Sequence, residues 1–485
     1  MPDDITFVEV RENICRPFSG IATLNNGKRI FYFGGWWRIQ THEGVGRYYI
    51  MITDKEIDGK KYIFDNECGK ILEELGIKIA KFPEFKPTPR WPSRYVKMYL
   101  NDIDMNFPVE DVYDVLQSKF SEYIDYGPEW GAPMLLALET IKSYLMPIFM
   151  TTGYIIFTGM RQTGKSKNLD LMEQVVFNPY RATEPSASAI FRGISDYQST
   201  FLVDESDLDI PEKAPTIRTI LLTGYKRGPM IPRIEKIRGE KLVPTYYDPF
   251  GPKIIVAPFG IATQGREAML SDRSILINMH KTSDIEKTRK IINPNDPLWE
   301  EIRSHLYVFA LKYWEKIEQY YLECGPELGF DSRNDEIWRP LYAVAKFFGV
   351  EKDLREYALE KIEMHMVEES ESPEIKMLRF LVAAVKGDIR AFETFLEEKV
   401  QLGNEYLSGY YVKASDLESK LTEYYGKEKW ITAQNIGRIL TNVFGLSSGI
   451  WKKIRMGRPY YFLELKKLSS LAKRYGIDPE RPLEL

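Results

Sequence analysis

Residues 154–166 read Tyr154-Ile-Ile-Phe-Thr-Gly-Met-Arg-Gln-Thr-Gly-Lys-Ser166. The apolar run Tyr154–Thr158 has strand character, and a helix is expected from Lys165 to Val176. Between them G-x-x-x-x-G-K-S puts Gly159, Gly164, Lys165 and Ser166 in fixed places. Glycines let the backbone curl until its N–H groups converge on a polyphosphate. The helix offers its positive N-terminal end to the same anion. Lys165 then reaches the β/γ-phosphates, and the Ser166 hydroxyl ligates Mg²⁺. Strand, loop and helix in this order predict an ATP site of Gly159, Thr163, Gly164, Lys165, Ser166 and Lys167. The fold class expected around it is an α/β P-loop core, a parallel sheet with helices on both faces.

A second motif lies 39 residues beyond Lys165. Phe201-Leu-Val-Asp-Glu205 reads as a buried parallel strand ending in two acids. Asp204 suits the Mg²⁺ shell, and Glu205 suits orientation of an attacking water. An acid pair of this kind favours an ATPase that uses water over a kinase that must exclude it. A third strand is expected at Lys253–Ala257, with Thr263 and Gln264 as candidates to place the water.

Between those strands, residues 225–251 alternate around Arg238-Gly-Glu-Lys241 and predict a β-hairpin with Gly239 at its tip. Met230, Ile234 and Ile237 are expected to face Leu242 and Val243. Residues 226–241 carry six basic groups against two acids. Lys236, Arg238 and Lys241 are therefore candidates to grip a nucleic-acid backbone.

Bulk composition narrows the class. At 485 residues the chain has room for about two to four domains. The net charge of −4 gives no global pull toward nucleic acid, so such binding must be local. Three distant cysteines and four scattered histidines predict neither a disulfide framework nor a zinc cluster. The start Met1-Pro-Asp-Asp-Ile lacks a basic, apolar leader, and no stretch has the character of a membrane span. A cytoplasmic chain is expected.

The segments quoted so far form one constellation. It resembles the AAA+ ATPases with a pre-sensor-1 hairpin, which include the superfamily 3 replicative helicases and the minichromosome maintenance helicases. It is more closely similar to the primase/helicase-type ATPase modules of plasmids and viruses. The residues carrying this likeness are Ala189-Ile-Phe-Arg192, Phe201-Leu-Val-Asp-Glu-Ser-Asp207, Leu221-Leu-Thr-Gly-Tyr-Lys-Arg-Gly228, Phe250-Gly-Pro-Lys-Ile-Ile-Val256 and Leu270-Ser-Asp-Arg-Ser-Ile275. The likeness covers roughly residues 105–465. It implies that Arg273, just before an apolar strand, enters a neighbouring subunit's site. It also implies that Arg333 is a sensor-2-like arginine of a helical lid. Superfamily 3 members place Asn after the third strand, whereas this chain has Ala257-Pro258, which leaves the sensor-1 residue open.

The expected division is 1–95 a β-rich N-terminal domain, 96–150 a helical lead-in, 151–282 the ATPase core, 283–400 a helical lid and bridge, and 401–485 a winged-helix domain. In the tail, helices are expected at Ala414–Tyr425 and Thr432–Val443, then a wing-like hairpin over Trp451–Phe462. Residues 445–477 carry eight basic groups against Glu464 alone. Gln434, Asn435 and Arg438, with Lys452, Lys453, Arg455 and Arg458 of the wing, are candidate DNA contacts. The resemblance implies an ATP-dependent DNA helicase or translocase, a hexameric homo-oligomeric ring using ATP and Mg²⁺ in plasmid or viral replication. The alternative is a non-translocating AAA+ switch: an initiator, a transposition regulator or an assembly platform.

Overall fold

The apolar runs of the core become one parallel sheet in the computed structural model. Its strands are Tyr154–Gly159 (β1), Pro179–Tyr180 (β2), Thr200–Val203 (β3), Lys253–Val256 (β4) and Ser274–Met279 (β5). The structure describes residues 14–483 except 43, 66–68, 182–185, 205–213, 238–240, 258–267, 283, 325–328, 331, 371–372, 393–394, 396, 404, 429, 456 and 476. Across the sheet the order is β5-β1-β4-β3-β2. Every residue of β1, β3 and β4 is buried, as a parallel sheet covered on both faces requires. Ile190, Phe191 and Ile194 of the helix Ala187–Ser195 meet Tyr154, Ile156, Phe201 and Val203 on one face. Ile217, Ile220 and Leu221 of the helix Ala214–Thr223 join them. Side chains alternate along a strand, which leaves Ile155 and Phe157 for the other face. The helix Lys165–Val175 packs on β1 and β4 with Leu169, Leu171 and Met172 buried.

Two compact units divide the chain, Met1–Lys361 and Ile362–Leu485. The expected boundaries at 95, 150 and 282 fall inside the first. Its antiparallel sheet, Ser19–Thr23, Arg29–Thr41, Gly44–Ile57 and Lys60–Asp65, has aromatic residues that tie it to the rest. Phe33 packs edge-on against Tyr307 with ring centroids 4.7 Å apart, and also meets Trp91, Tyr144 and Phe177. Trp314 of the helix Pro297–Glu323 donates its indole N–H to Asp54 at 2.8 Å. The helix Ala132–Tyr144 gives way to a tight turn, Met146–Ile148, because Pro147 has no N–H to continue the ladder. No described helix is long and apolar enough to cross a membrane.

In the second unit, strands Glu397–Leu402, Glu405–Val412, Arg458–Glu464 and Lys452–Arg455 form an antiparallel sheet in that order. The helix Ala414–Tyr425 precedes Ala433–Arg438, whose axis continues through a wider turn at Ile439–Val443. Thr432 caps it, its hydroxyl accepting the Asn435 N–H at 3.3 Å. Leu417, Leu421, Ile436, Leu440, Phe462 and Leu463 are buried beneath these elements.

Candidate nucleotide site and nucleic-acid surfaces

The loop after β1 is shaped by backbone conformations that few residues tolerate. Gly159 has φ 143°, and a Cβ there would lie 2.3 Å from the Met279 carbonyl oxygen of β5. Only glycine fits that approach. Gln162 (φ 63°) and Gly164 (φ 88°) are also left-handed, which curls the loop into the helix Lys165–Val175. Thr163 donates its hydroxyl to the Met160 carbonyl at 2.9 Å and braces the curl. Lys165 is buried and folds back over the loop, with Nζ 2.7 Å from the Gly159 carbonyl. Ser166, in the first turn, is exposed. A curled loop closed to a Cβ at Gly159, a helix start, a lysine over the loop and an open hydroxyl together fit a magnesium polyphosphate. Lys167 turns elsewhere. Its Nζ donates to the Lys287 carbonyl at 2.6 Å, and burial, then the charge of Lys290, pulls its ammonium below its ordinary value.

Asp204 leaves the end of β3 at the same edge of the sheet. The register Val203↔Ile255 and Ile255↔Ile156 puts one strand, β4, between it and the loop strand. Two strand spacings separate them by about 10 Å, room for a phosphate and a water. Arg181, just past β2, reaches Asp204 at 3.4 Å while holding Asp170 of the loop helix at 2.6 Å and Glu173 at 3.3 Å. No motif in the sequence marks this arginine. Glu205, Thr263 and Gln264 lie outside the described residues.

Arg273 and Arg333 come together at the opposite edge. β5 runs parallel to β1 with Ser274 beside Tyr154 and Met279 beside Gly159. Arg273, one residue before β5, is thus about 20 Å along the strands from the loop, six residue steps. Its guanidinium lies 5.0 Å from the centroid of the Tyr225 ring, and that of Arg333 lies 4.9 Å from the same ring. A hydrogen bond to Tyr225 raises the Arg333 guanidinium above its ordinary value, and Glu336 pairs with it at 3.0 Å. Arg333 stands beside Arg273, where the helix Ser332–Phe348 packs its Ile337 against Gly153, ahead of β1.

The hairpin forms between β3 and β4 as strands Ile231–Ile237 and Lys241–Tyr247. Its pairing differs from the expected one: Ile234 faces Pro244, Glu235 faces Val243, Lys236 faces Leu242 and Ile237 faces Lys241. Arg238 and Gly239 lie outside the described residues, and Lys236 and Lys241 are described in their backbone only. The hairpin's root is clamped by cations. Lys253 is fully buried and donates to the carbonyls of Gly224, Pro249 and Gly251 at 3.2, 2.8 and 2.8 Å. Arg227 donates to the carbonyls of Phe149 and Met146, and burial pulls it down to about 10.

In the second unit Gln434 and Arg438 are exposed one turn apart, and Asn435 donates to the Trp430 carbonyl. On the adjoining strands Lys453 and Arg458 are exposed, and Lys452 rests over the Tyr461 ring at 5.5 Å. Arg455 is exposed and is bonded to Glu398 through two guanidinium nitrogens at 2.9 and 2.8 Å. Its counter-ion comes from the strand Glu397–Leu402 at the other edge of this sheet, which the sequence did not announce.

No protein-family model matches the sequence, and no curated protein matches it. Among solved structures the chain is similar to one described as "SCCmec type IV Cch - active helicase", at TM-score 0.41 and 13% identity, over 96% of this chain and 81% of that one. It is also similar to "The A form apo structure of NrS-1 C terminal region-CTR", at TM-score 0.32 and 13% identity, over 86% of this chain and 93% of that one. A further structure of that region, residues 305–718, gives TM-score 0.34 and 13% identity over 89% and 96%. Scores this low define no fold common to the whole chain, and the site assignments stand on this chain's own geometry.

Proposed function

We propose that this chain is an ATP-driven DNA translocase or helicase that works as a hexameric ring in plasmid or viral replication. One observation carries the proposal. The phosphate loop and Asp204 share one edge of the sheet, while Arg273 and Arg333 share the other, about 20 Å away. A chain built this way holds half a site at each end, and head-to-tail copies complete it.

Lys165, the loop N–H groups and the helix start hold the triphosphate. Ser166 and Asp204 would hold Mg²⁺, which supplies charge neutralisation on the phosphates. Glu205 orients the water for attack. Arg273, from the neighbouring copy, sets a positive charge where negative charge grows on the departing γ-phosphate, and Arg333 stands beside it. Arg181 balances Asp204 and ties it to the loop helix. The hairpin, clamped at its root by Lys253 and Arg227, touches DNA in the channel. In the tail, a winged-helix unit presents Gln434, Arg438, Lys453 and Arg458 to DNA.

The test is ATP hydrolysis by wild-type, Lys165→Ala and Lys241→Ala protein, with and without single- or double-stranded DNA. Turnover stimulated by DNA, abolished by Lys165→Ala and reduced to its basal level by Lys241→Ala, supports the motor. Turnover indifferent to DNA at every salt concentration would sink it in favour of the AAA+ switch.

A further inference from the structure

An edge strand leaves one row of its backbone groups without a strand partner. β5 is such an edge, beside the strand that leads into the phosphate loop. Near its end a side chain takes over: the Glu129 carboxylate accepts the Asn278 N–H at 2.8 Å. Glu129 is buried, and its other oxygen accepts the Tyr357 hydroxyl at 2.6 Å and pairs with the Lys361 ammonium. Tyr357 and Lys361 belong to the helix Glu351–Ser370. Three residues before Glu129, Tyr126 donates its hydroxyl to Asn168 of the loop helix at 2.8 Å, and Asn168 donates to the Gly164 carbonyl at 3.2 Å. Met279, next to Asn278, is the residue whose carbonyl bounds Gly159. One short segment, residues 126–131, thus reaches both glycines that shape the loop. On its far side Gly131 lies so near the Tyr357 ring that a Cβ would stand 2.4 Å from it, and Trp130 packs edge-on to the same ring with centroids 5.5 Å apart. All of these residues lie in the first compact unit.

We propose that Glu129 is a positioning residue that couples the helix Glu351–Ser370 to the phosphate loop, so that Tyr357 and Lys361 govern nucleotide affinity from outside the loop. The inference rests on the nucleotide reading above and goes beyond it, since no loop motif includes these three residues. A buried ion pair is a costly way to pin a strand, and an apolar contact would hold β5 without desolvating charge. What the carboxylate adds is direction. Its two oxygens join three donors on two elements, so the end of β5 and the helix are placed together. The loop N–H groups converge on phosphate only while Gly159 keeps its place against Met279, and Glu129 fixes the residue beside that contact. Tyr126 holds the loop's other end through Asn168. Such coupling is reciprocal: nucleotide binding tightens the hold of Glu129 on the helix by the same factor.

The experiment is titration of the full chain with a fluorescent ATP analogue, mant-ATP, and Mg²⁺, well below the melting midpoint of each variant. Tyr357→Phe keeps the ring on which Gly131 and Trp130 pack and removes only the hydroxyl. It should weaken binding about 5-fold or more. Glu129→Gln should do likewise, and the double variant should bind no more weakly than Glu129→Gln alone, because both changes break one link. Lys361→Met should also weaken binding, whereas Lys361→Arg should bind as the wild type does. Melting midpoints without nucleotide register any purely structural loss, which would not produce this pattern. Wild-type affinity in Tyr357→Phe and Lys361→Met overturns the inference while leaving nucleotide binding intact. Effects that multiply in the double variant also overturn it, since the two residues would then act separately. A wild-type chain that binds no mant-ATP, or binds it no better than Lys165→Ala, removes the nucleotide reading itself, and the inference with it.

Discussion

Mixing two inactive chains provides the sharpest check on a site shared between copies. Arg273→Ala keeps its own loop but offers its neighbour no arginine. Lys165→Ala has a dead loop but an intact Arg273. The strand register puts Arg273 six residue steps from Gly159, about 20 Å, beyond the reach of an arginine side chain. Each homogeneous variant should therefore lose most turnover, about 10³-fold or more for an arginine acting on the departing phosphate. In an equimolar, freely exchanged mixture half the loops are intact, and half of those meet an intact neighbour. About one quarter of wild-type turnover should return, measured as steady-state ATP hydrolysis after co-refolding or subunit exchange. Arg333→Ala mixed with Lys165→Ala discriminates further. Should Arg333 serve its own loop, every intact loop in that mixture carries the defect and nothing returns. Should it serve the neighbour, it recovers as Arg273→Ala does. A mixture of Arg273→Ala and Lys165→Ala that stays at the level of its parents refutes the shared site.

Other expectations concern the scaffold. Gly164→Ala meets open space and should cost only left-handed strain, about 1–2 kcal/mol, whereas Gly159→Ala also drives a methyl to 2.3 Å from the Met279 carbonyl. It should therefore lower the melting temperature more and weaken nucleotide binding; equal effects would argue against the close β1–β5 approach. Lys142 and Glu139 form a buried pair 2.6 Å apart. Lys142→Met should cost about 3–5 kcal/mol in denaturant unfolding, and Lys142→Met with Glu139→Leu should recover much of it. A double variant no better than the single one would contradict this. Burial pulls Lys253 down from 10.5 to about 7. The unfolded chain then binds its proton more tightly, so this group adds stability as pH rises from about 7 toward 10.5 and is indifferent to pH below 7. Lys253→Met should flatten the rise in unfolding midpoint between pH 7 and 9, and an unchanged slope would count against it.

The loop, its strand and its helix could be read directly because each carries a local signature. A buried parallel strand needs an unbroken apolar run, and the loop needs glycine where φ is positive. The sequence was less informative wherever structure depends on partners. Glu397–Leu402 has no apolar alternation, since its residues are exposed or half-buried, and it forms because Glu405–Val412 pairs with it. That strand then claims Arg455 through Glu398. In the hairpin, a tip pairing Ile237 with Lys241 sorted the apolar residues onto two faces and not one. Arg181 carries no motif at all. Its role depends on where the end of β2 falls relative to β3, a tertiary fact.

The placement of Tyr225 links the two halves of the proposed mechanism. The guanidinium groups of Arg273 and Arg333 lie 5.0 and 4.9 Å from its ring centroid, and its carbonyl accepts the Thr152 N–H at 2.8 Å. Thr152 in turn receives the Lys142 ammonium at 2.8 Å, just ahead of β1. Lys226, the next residue, pairs with Glu336 at 2.8 Å, and Arg227 fastens the following turn to Phe149 and Met146. The chain then enters the hairpin, whose return is fixed by Lys253 to Gly224, Pro249 and Gly251. Both hairpin ends are therefore bonded to the sheet edge that carries the arginines, and among the described residues the strands β1, β4 and β5 run from there toward the chain's own loop. A displacement of the arginine pair has a short, hydrogen-bonded path to the hairpin. If the arginines answer to the neighbour's nucleotide, the hairpin of each copy follows the nucleotide state next door in preference to its own. The mixing experiment decides that premise, and this coupling falls with it if activity does not return.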